Sequence, residues 1–150
     1  MRSEHLSKSK LARFLDSGVT YFIDLTEAGE LRPYEPDLEG LAEDRAIDVC
    51  YRRFPIRDGG VPPHQDDLQQ LLDTIKEALC ARHIVYIHYL GGIGRTGLIV
   101  GCYLAKKHGG GRRGLAKLRG FWPECEKSVY RPLTPETNEQ RQWILARRSA

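Results

Sequence analysis

The sequence has no long apolar run. Its longest, Leu98 to Ala105, spans eight residues and is interrupted by Gly101, far short of the roughly 20 apolar residues that a membrane-spanning helix needs. The first residues, Met1-Arg2-Ser3-Glu4-His5, lead into no hydrophobic stretch, so no secretion signal is expected and a cytoplasmic location is the default. Cysteine is scarce. The four present, Cys50, Cys80, Cys102 and Cys125, stand more than twenty residues apart, with no C-x-x-C pair and no His at ligand spacing, so neither a metal site nor a cofactor is expected. Without a secretion signal they read as small buried apolar side chains rather than disulfide partners. Two familiar nucleotide loops are missing as well: no glycine-rich loop is followed by Lys and Ser/Thr, and no G-x-G-x-x-G stands near the first strand. Internal repeats and linker-like stretches are absent too.

What is there suits one folded domain over residues 1–150. The chain is 41% hydrophobic and 29% charged, within the globular range, and a chain of this length buries roughly 70% of the surface it would expose unfolded. A net charge of +3 conceals a division: residues 1–75 hold 9 Lys and Arg against 15 Asp and Glu, and residues 76–150 hold 14 against 5. The basic half suits an anionic partner such as a phosphate ester, a nucleic acid or an acidic protein; a solvated charged surface accounts for it equally well.

Leu11, Phe14 and Leu15 fall at i, i+3 and i+4 and Gly18 follows, which predicts a short helix between Lys8 and Ser17. Val19 to Leu25 is β-branched and aromatic, hence a strand. Residues 26–46, rich in Glu, Asp, Pro and Gly, read as loop. Alternation at Ile47, Val49 and Tyr51 predicts a second strand running to about Phe54. The segment from Pro55 to Pro63 has three prolines and a Gly-Gly pair, so it is a loop. Helical spacing resumes at Leu68, Leu71, Leu72, Ile75, Ala78 and Leu79. Ile84-Val85-Tyr86-Ile87 then reads as a central strand buried on both faces. A buried helix over Leu98–Leu104 follows, ended by Gly109-Gly110-Gly111, then a basic amphipathic segment from Arg112 to Phe121. A final helix is predicted to open at Pro135 behind a Thr134 cap and run towards Arg148. The order of elements indicates an α/β fold.

Between the apolar strand and the buried helix lies Gly91-Gly92-Ile93-Gly94-Arg95-Thr96-Gly97. A loop of small residues at a helix N-terminus leaves backbone N–H groups available at the positive end of the helix dipole, which makes an anion cradle. Arg95 adds a planar fork suited to two phosphate oxygens.

The stretch His88-Tyr89-Leu90-Gly91-Gly92-Ile93-Gly94-Arg95-Thr96-Gly97 resembles the loop of the cysteine-dependent protein-tyrosine and dual-specificity phosphatases, H-C-x5-R-[S/T]. Every landmark matches but one: Tyr89 stands where the family has its nucleophilic Cys. The resemblance extends from about Ile23-Asp24-Leu25 to Gln140. It implies a phosphatase-like fold with a central, mostly parallel sheet flanked by helices. It also implies a phosphate-binding loop formed by Leu90, Gly91, Gly92, Ile93, Gly94 and Arg95, with Arg95 stabilising charge in the transition state. By the family's pattern His88 holds the loop, and Thr96 offers its hydroxyl to the nucleophile or the leaving thiolate. Asp58, on the Pro-containing loop before the motif, takes the place of the general acid; a turn-forming Asp ahead of Gly-Gly is the other reading. Thr134-Pro135-Glu136-Thr137-Asn138-Glu139-Gln140 resembles a late motif in which a Gln positions water, while on its own Gln140 reads as a surface helix residue.

Tyr89 bears on all of this. Phenols ionise near pH 10 and thiols near 8.5, so a phenol is the poorer nucleophile at neutral pH. A Tyr hydroxyl also reaches roughly twice as far from Cα as a Cys sulfur. Turned inward, it lands where phosphate should sit; turned outward, it leaves the loop without a nucleophile. Cys102, two turns into the next helix, offers no substitute. The chain therefore reads as a pseudophosphatase that retains a phosphate-binding cradle, with phosphotyrosine or other phosphorylated proteins and phosphate-like anions as partners. Two alternatives stay open. One is a substituted form of an active protein-tyrosine phosphatase, a phosphoric monoester hydrolase that works through a phosphocysteine. The other is an RNA 5′-phosphate-binding protein, since some members of the group act on RNA 5′-triphosphates and Lys106, Lys107, Arg112, Arg113, Lys117 and Arg119 supply a basic face. No aromatic interleaving accompanies that face, so nucleic acid is not the expected partner, and no membrane association is expected.

Overall fold

A computed structural model of the chain describes residues 6–57, 60–89, 94–121, 135 and 137–147. It resolves into two compact units, residues 1–55 with 73–90 and residues 56–72 with 91–150.

The first unit holds the sheet. Helix α1, Lys8–Asp16, starts where Ser7 Oγ accepts from Lys10 N (3.3 Å), buries Leu11 and Leu15, and ends before Gly18, whose φ of +102° suits glycine. Strands β1 (Val19–Asp24), β2 (Cys50–Arg53) and β3 (Ile84–His88) are parallel, in the order β2-β1-β3. Pairing sets Asp24 opposite Arg53 on one side and His88 on the other. Three polar side chains therefore line the carboxyl ends of the strands, the edge at which parallel sheets place ligands. Leu11, Leu15, Val19, Phe22, Leu38 and Ala42 are members of one buried core. The fold class matches the expectation of an α/β chain built on a parallel sheet.

Several expected elements differ. Residues 26–46 are not all loop: helix α2 spans Glu35–Asp44. Its acidic residues and Pro36 conceal an apolar stripe of buried Leu38, half-buried Leu41 and buried Ala42 at i, i+3 and i+4; Pro36 sits in the first turn, where its missing N–H costs nothing. Strand β2 begins at Cys50 rather than Ile47, after Ala46 adopts φ +52° and Ile47 N bonds back to Ala42 O. Strand β3 is not central in the sheet of described residues. There β1 has neighbours on both sides, and Ile84 is 53% exposed. Nor are the cysteines uniformly buried: Cys50 and Cys80 are exposed, Cys102 is buried, and Cys125 lies outside the described residues.

Helix α3, Gln65–Cys80, follows its predicted register, with Leu68, Leu71, Leu72, Ile75 and Ala78 buried and Leu79 exposed. The second unit contains α4 (Gly94–His108), α5 (Gly111–Phe121) and α6 (Asn138–Leu145). Glycine brings these three into close contact. A Cβ on Gly101 would collide with Ile144 Cδ1, one on Gly111 with the carbonyls of Ile144 and Leu145, and one on Gly114 would lie 2.5 Å from Ala105 Cα. Helix α6 starts later than predicted. Its cap is Thr137, which forms a reciprocal capping box with Gln140, and Pro135 precedes the helix. Thr134 lies outside the described residues. Among the described residues no helix is long and apolar enough to cross a membrane.

Candidate active site

In the first unit the site is built on the ends of β1, β2 and β3. Asp24 is 3% exposed and accepts at both carboxylate oxygens. Thr26 N (2.9 Å) and Thr26 Oγ1 (2.6 Å) donate to Oδ1, while Tyr51 OH (2.6 Å) and Arg53 Nη2 (3.4 Å) donate to Oδ2. Burial alone would raise its pKa. Hydrogen bonds from Thr26 and Tyr51, with a smaller electrostatic contribution from His88, outweigh burial and hold the carboxyl below the usual carboxylate range. Burial raises the phenols of Tyr34 and Tyr51 above their ordinary value, with the Asp24 charge adding to it; Tyr86 is raised by burial.

His88 is the last residue of β3 and is buried. Its Nε2 pairs with Tyr34 OH at 2.5 Å, and its ring stacks on Tyr86 at 5.2 Å and 16°. The ring is therefore fixed in both plane and direction. Tyr89, immediately after the strand, is 4% exposed.

In the second unit α4 begins at Gly94, so Arg95 and Thr96 occupy its first turn, where helix N–H groups have no intrahelical acceptor. Arg95 is 1% exposed, and its Nη1 donates to Ile56 O at 3.0 Å. Thr96 Oγ1 is buried and makes no hydrogen bond among the described residues. Cys102 is buried on the same helix, and burial pushes its thiol up to about 12. It lies seven residues beyond Arg95, roughly 10 Å along the helix axis. Gln140 is fully buried, contrary to its reading as a surface residue, and Nε2 donates to Gly60 O at 2.9 Å.

The structure thus brings His88 and Tyr89 together at the end of β3, and Arg95 and Thr96 together on α4. Leu90, Gly91, Gly92, Ile93 and Asp58 lie outside the described residues. Sequence reasoning missed the supporting set Asp24, Tyr34 and Tyr51. The available signal was an acidic residue at the end of an otherwise apolar strand. Among the described residues no cluster of His, Cys, Asp and Glu could hold a metal ion.

Comparison with known proteins bears directly on this arrangement. A family model, "Polymorphic toxin system, DSP-PTPase phosphatase", matches residues 2–109. The chain belongs to that family. Residues 110–150, with α5 and α6, lie beyond the match. A curated relative, "Putative tyrosine phosphatase 067L" of Invertebrate iridescent virus 3, is 29% identical over 92 residues. That stretch is 59% of this chain and 35% of the relative, so the chain matches about a third of the relative's length. Among solved structures, kinase associated phosphatase with its catalytic-site cysteine replaced by serine aligns with a TM-score of 0.70. The identity is 21%, over 91% of this chain and 72% of that one. Tk-PTP in its active form aligns with a TM-score of 0.65 and 23% identity, over 92% and 83%. These two share the fold, a small parallel sheet with helices.

Proposed function

We propose that this chain is a non-hydrolysing member of the phosphatase family, one phosphatase-like domain over residues 1–150 that binds phosphate-bearing ligands, phosphorylated proteins foremost. The reading rests on one observation: the residue that follows the fixed His88 at the end of β3, in the nucleophile's place in the loop pattern, is a buried phenol, Tyr89. Other features agree with it. The thiol on α4, Cys102, is buried and pushed up to about 12, so it is neither reachable nor ionised at neutral pH. Arg95 and the first turn of α4 retain the means of gripping a tetrahedral dianion. In this reading the loop from Leu90 to Gly94 contributes its N–H groups, Thr96 a hydroxyl, and Asp58 is a general acid left with no phosphocysteine step to serve.

Titration of the full chain with orthovanadate, followed calorimetrically, tests the retained cradle. Saturable binding is expected, weakened at least about tenfold by Arg95→Lys because the bidentate fork is lost. No binding, or binding indifferent to Arg95→Lys, would overturn it.

A further inference from the structure

Both ends of the Gln140 amide are engaged. Oε1 accepts from Thr137 N at 3.2 Å, which completes the capping box of α6, while Nε2 donates to Gly60 O at 2.9 Å. Each partner is a backbone group of fixed polarity, so the amide can face only one way. The segment that Gln140 reaches is held at its other end too, by Arg95 Nη1 on Ile56 O at 3.0 Å. Between these anchors Gly60 N donates to Arg57 O at 2.8 Å. Helix α6 is itself seated on α4, with Ile144 in the notch left by Gly101. Arg95 and Gln140 thus come from two helices packed on one another and hold two carbonyls four residues apart; Asp58 stands midway between them in sequence.

We propose that Gln140 is a positioning residue, a latch that holds Gly60 against α6 while Arg95 holds Ile56, and so sets the geometry in which Arg95 is held. The amide is buried, and a backbone partner at each end fixes its direction. The link to ligand binding rests on the reading of Arg95 as the phosphate-gripping residue; the latch itself does not.

Two substitutions separate the latch from the cap. Gln140→Glu keeps an acceptor for Thr137 N, since Glu serves at this position of a capping box, but it cannot donate to Gly60 O. Thr137→Ala removes the cap and leaves the donor. The readout is amide hydrogen exchange at Gly60 in the full chain, with orthovanadate affinity measured in parallel. Gln140→Glu is expected to speed Gly60 exchange about tenfold and to weaken vanadate several-fold, whereas Thr137→Ala leaves both near native values while lowering the thermal midpoint. Equal exchange in native and Gln140→Glu proteins, or equal acceleration by Thr137→Ala, overturns the latch. If Gln140→Glu does not fold, Gln140→Met, similar in size with no amide, is read by the same criteria. A native chain that fails to bind vanadate refutes the anion-binding reading, and Gly60 exchange still decides the latch.

Discussion

Replacing Asp24 with Ala would probe the polar row at the sheet's carboxyl edge. The carboxylate receives three bonds of 2.6 to 2.9 Å, from Thr26 N, Thr26 Oγ1 and Tyr51 OH, and a longer one from Arg53. Hydrogen bonds to a charged group contribute about 1.5–3 kcal/mol each, but contacts on one carboxylate are not additive. Removing one partner from a buried charged set costs about 3–5 kcal/mol, the range expected here. With a urea slope of about 2 kcal/mol per molar, the unfolding midpoint should fall by roughly 1.5–2.5 M. Asp24→Asn keeps the acceptor facing Thr26 but loses the charge and the acceptor facing Tyr51 and Arg53, so about 1–3 kcal/mol is expected. The pH dependence has a definite sign. Because the native pKa is depressed, the contribution is complete above the unfolded value of about 4 and disappears as the pH falls through the native pKa. The Asn variant should therefore lose less stability than the native chain below pH 4. A midpoint for Asp24→Ala within about 0.3 M of native, near 0.5 kcal/mol, would refute the claim that this carboxylate holds the strand ends.

Tyr34→Phe removes the hydroxyl bonded to His88 Nε2 and should cost about 1–2 kcal/mol in the same urea assay, as a buried ring nitrogen loses its partner; no change would show the pairing to be unimportant. Glycine substitutions should act with opposite signs. Gly40→Ala on α2 meets nothing within 4 Å and should stabilise by about 0.5–1 kcal/mol, whereas Gly114→Ala drives a Cβ to 2.5 Å from the Ala105 backbone and should destabilise by about 1–3 kcal/mol, both read from thermal midpoints. Iodoacetamide at pH 8, mapped by mass spectrometry, should label the exposed Cys50 and Cys80 quickly and Cys102 only on unfolding; rapid native labelling of Cys102 would contradict its burial.

Much of the fold was legible because local pattern and tertiary burial agree. Leu11 and Leu15 in α1 and the apolar register of α3 repeat with the period of a helix, and β1 shows in its β-branched and aromatic content. The phosphate-loop pattern could be found because its residues are contiguous. Helix α2 was obscured because Glu, Asp, Pro and Gly dominate its composition, and its three-residue apolar stripe is short. The position of β3 at an edge of the described sheet is a matter of strand order, which a run of four apolar residues does not encode. Gln140 shows the deeper limit. Its partner Gly60 is 80 residues away, and nothing in its neighbours signals that a helical Gln near a chain's end is buried. The Tyr34–His88 pair, 54 residues apart, was hidden for the same reason.

Hydrolysis of an aryl phosphate by the native chain and by Tyr89→Cys tests the central claim most directly. The account predicts no turnover above background for the native protein. It predicts turnover in Tyr89→Cys that is abolished by thiol alkylation, because only the attacking atom is missing. Native turnover that depends on Asp58, or a Tyr89→Cys protein that folds and binds vanadate yet remains inert, would contradict it.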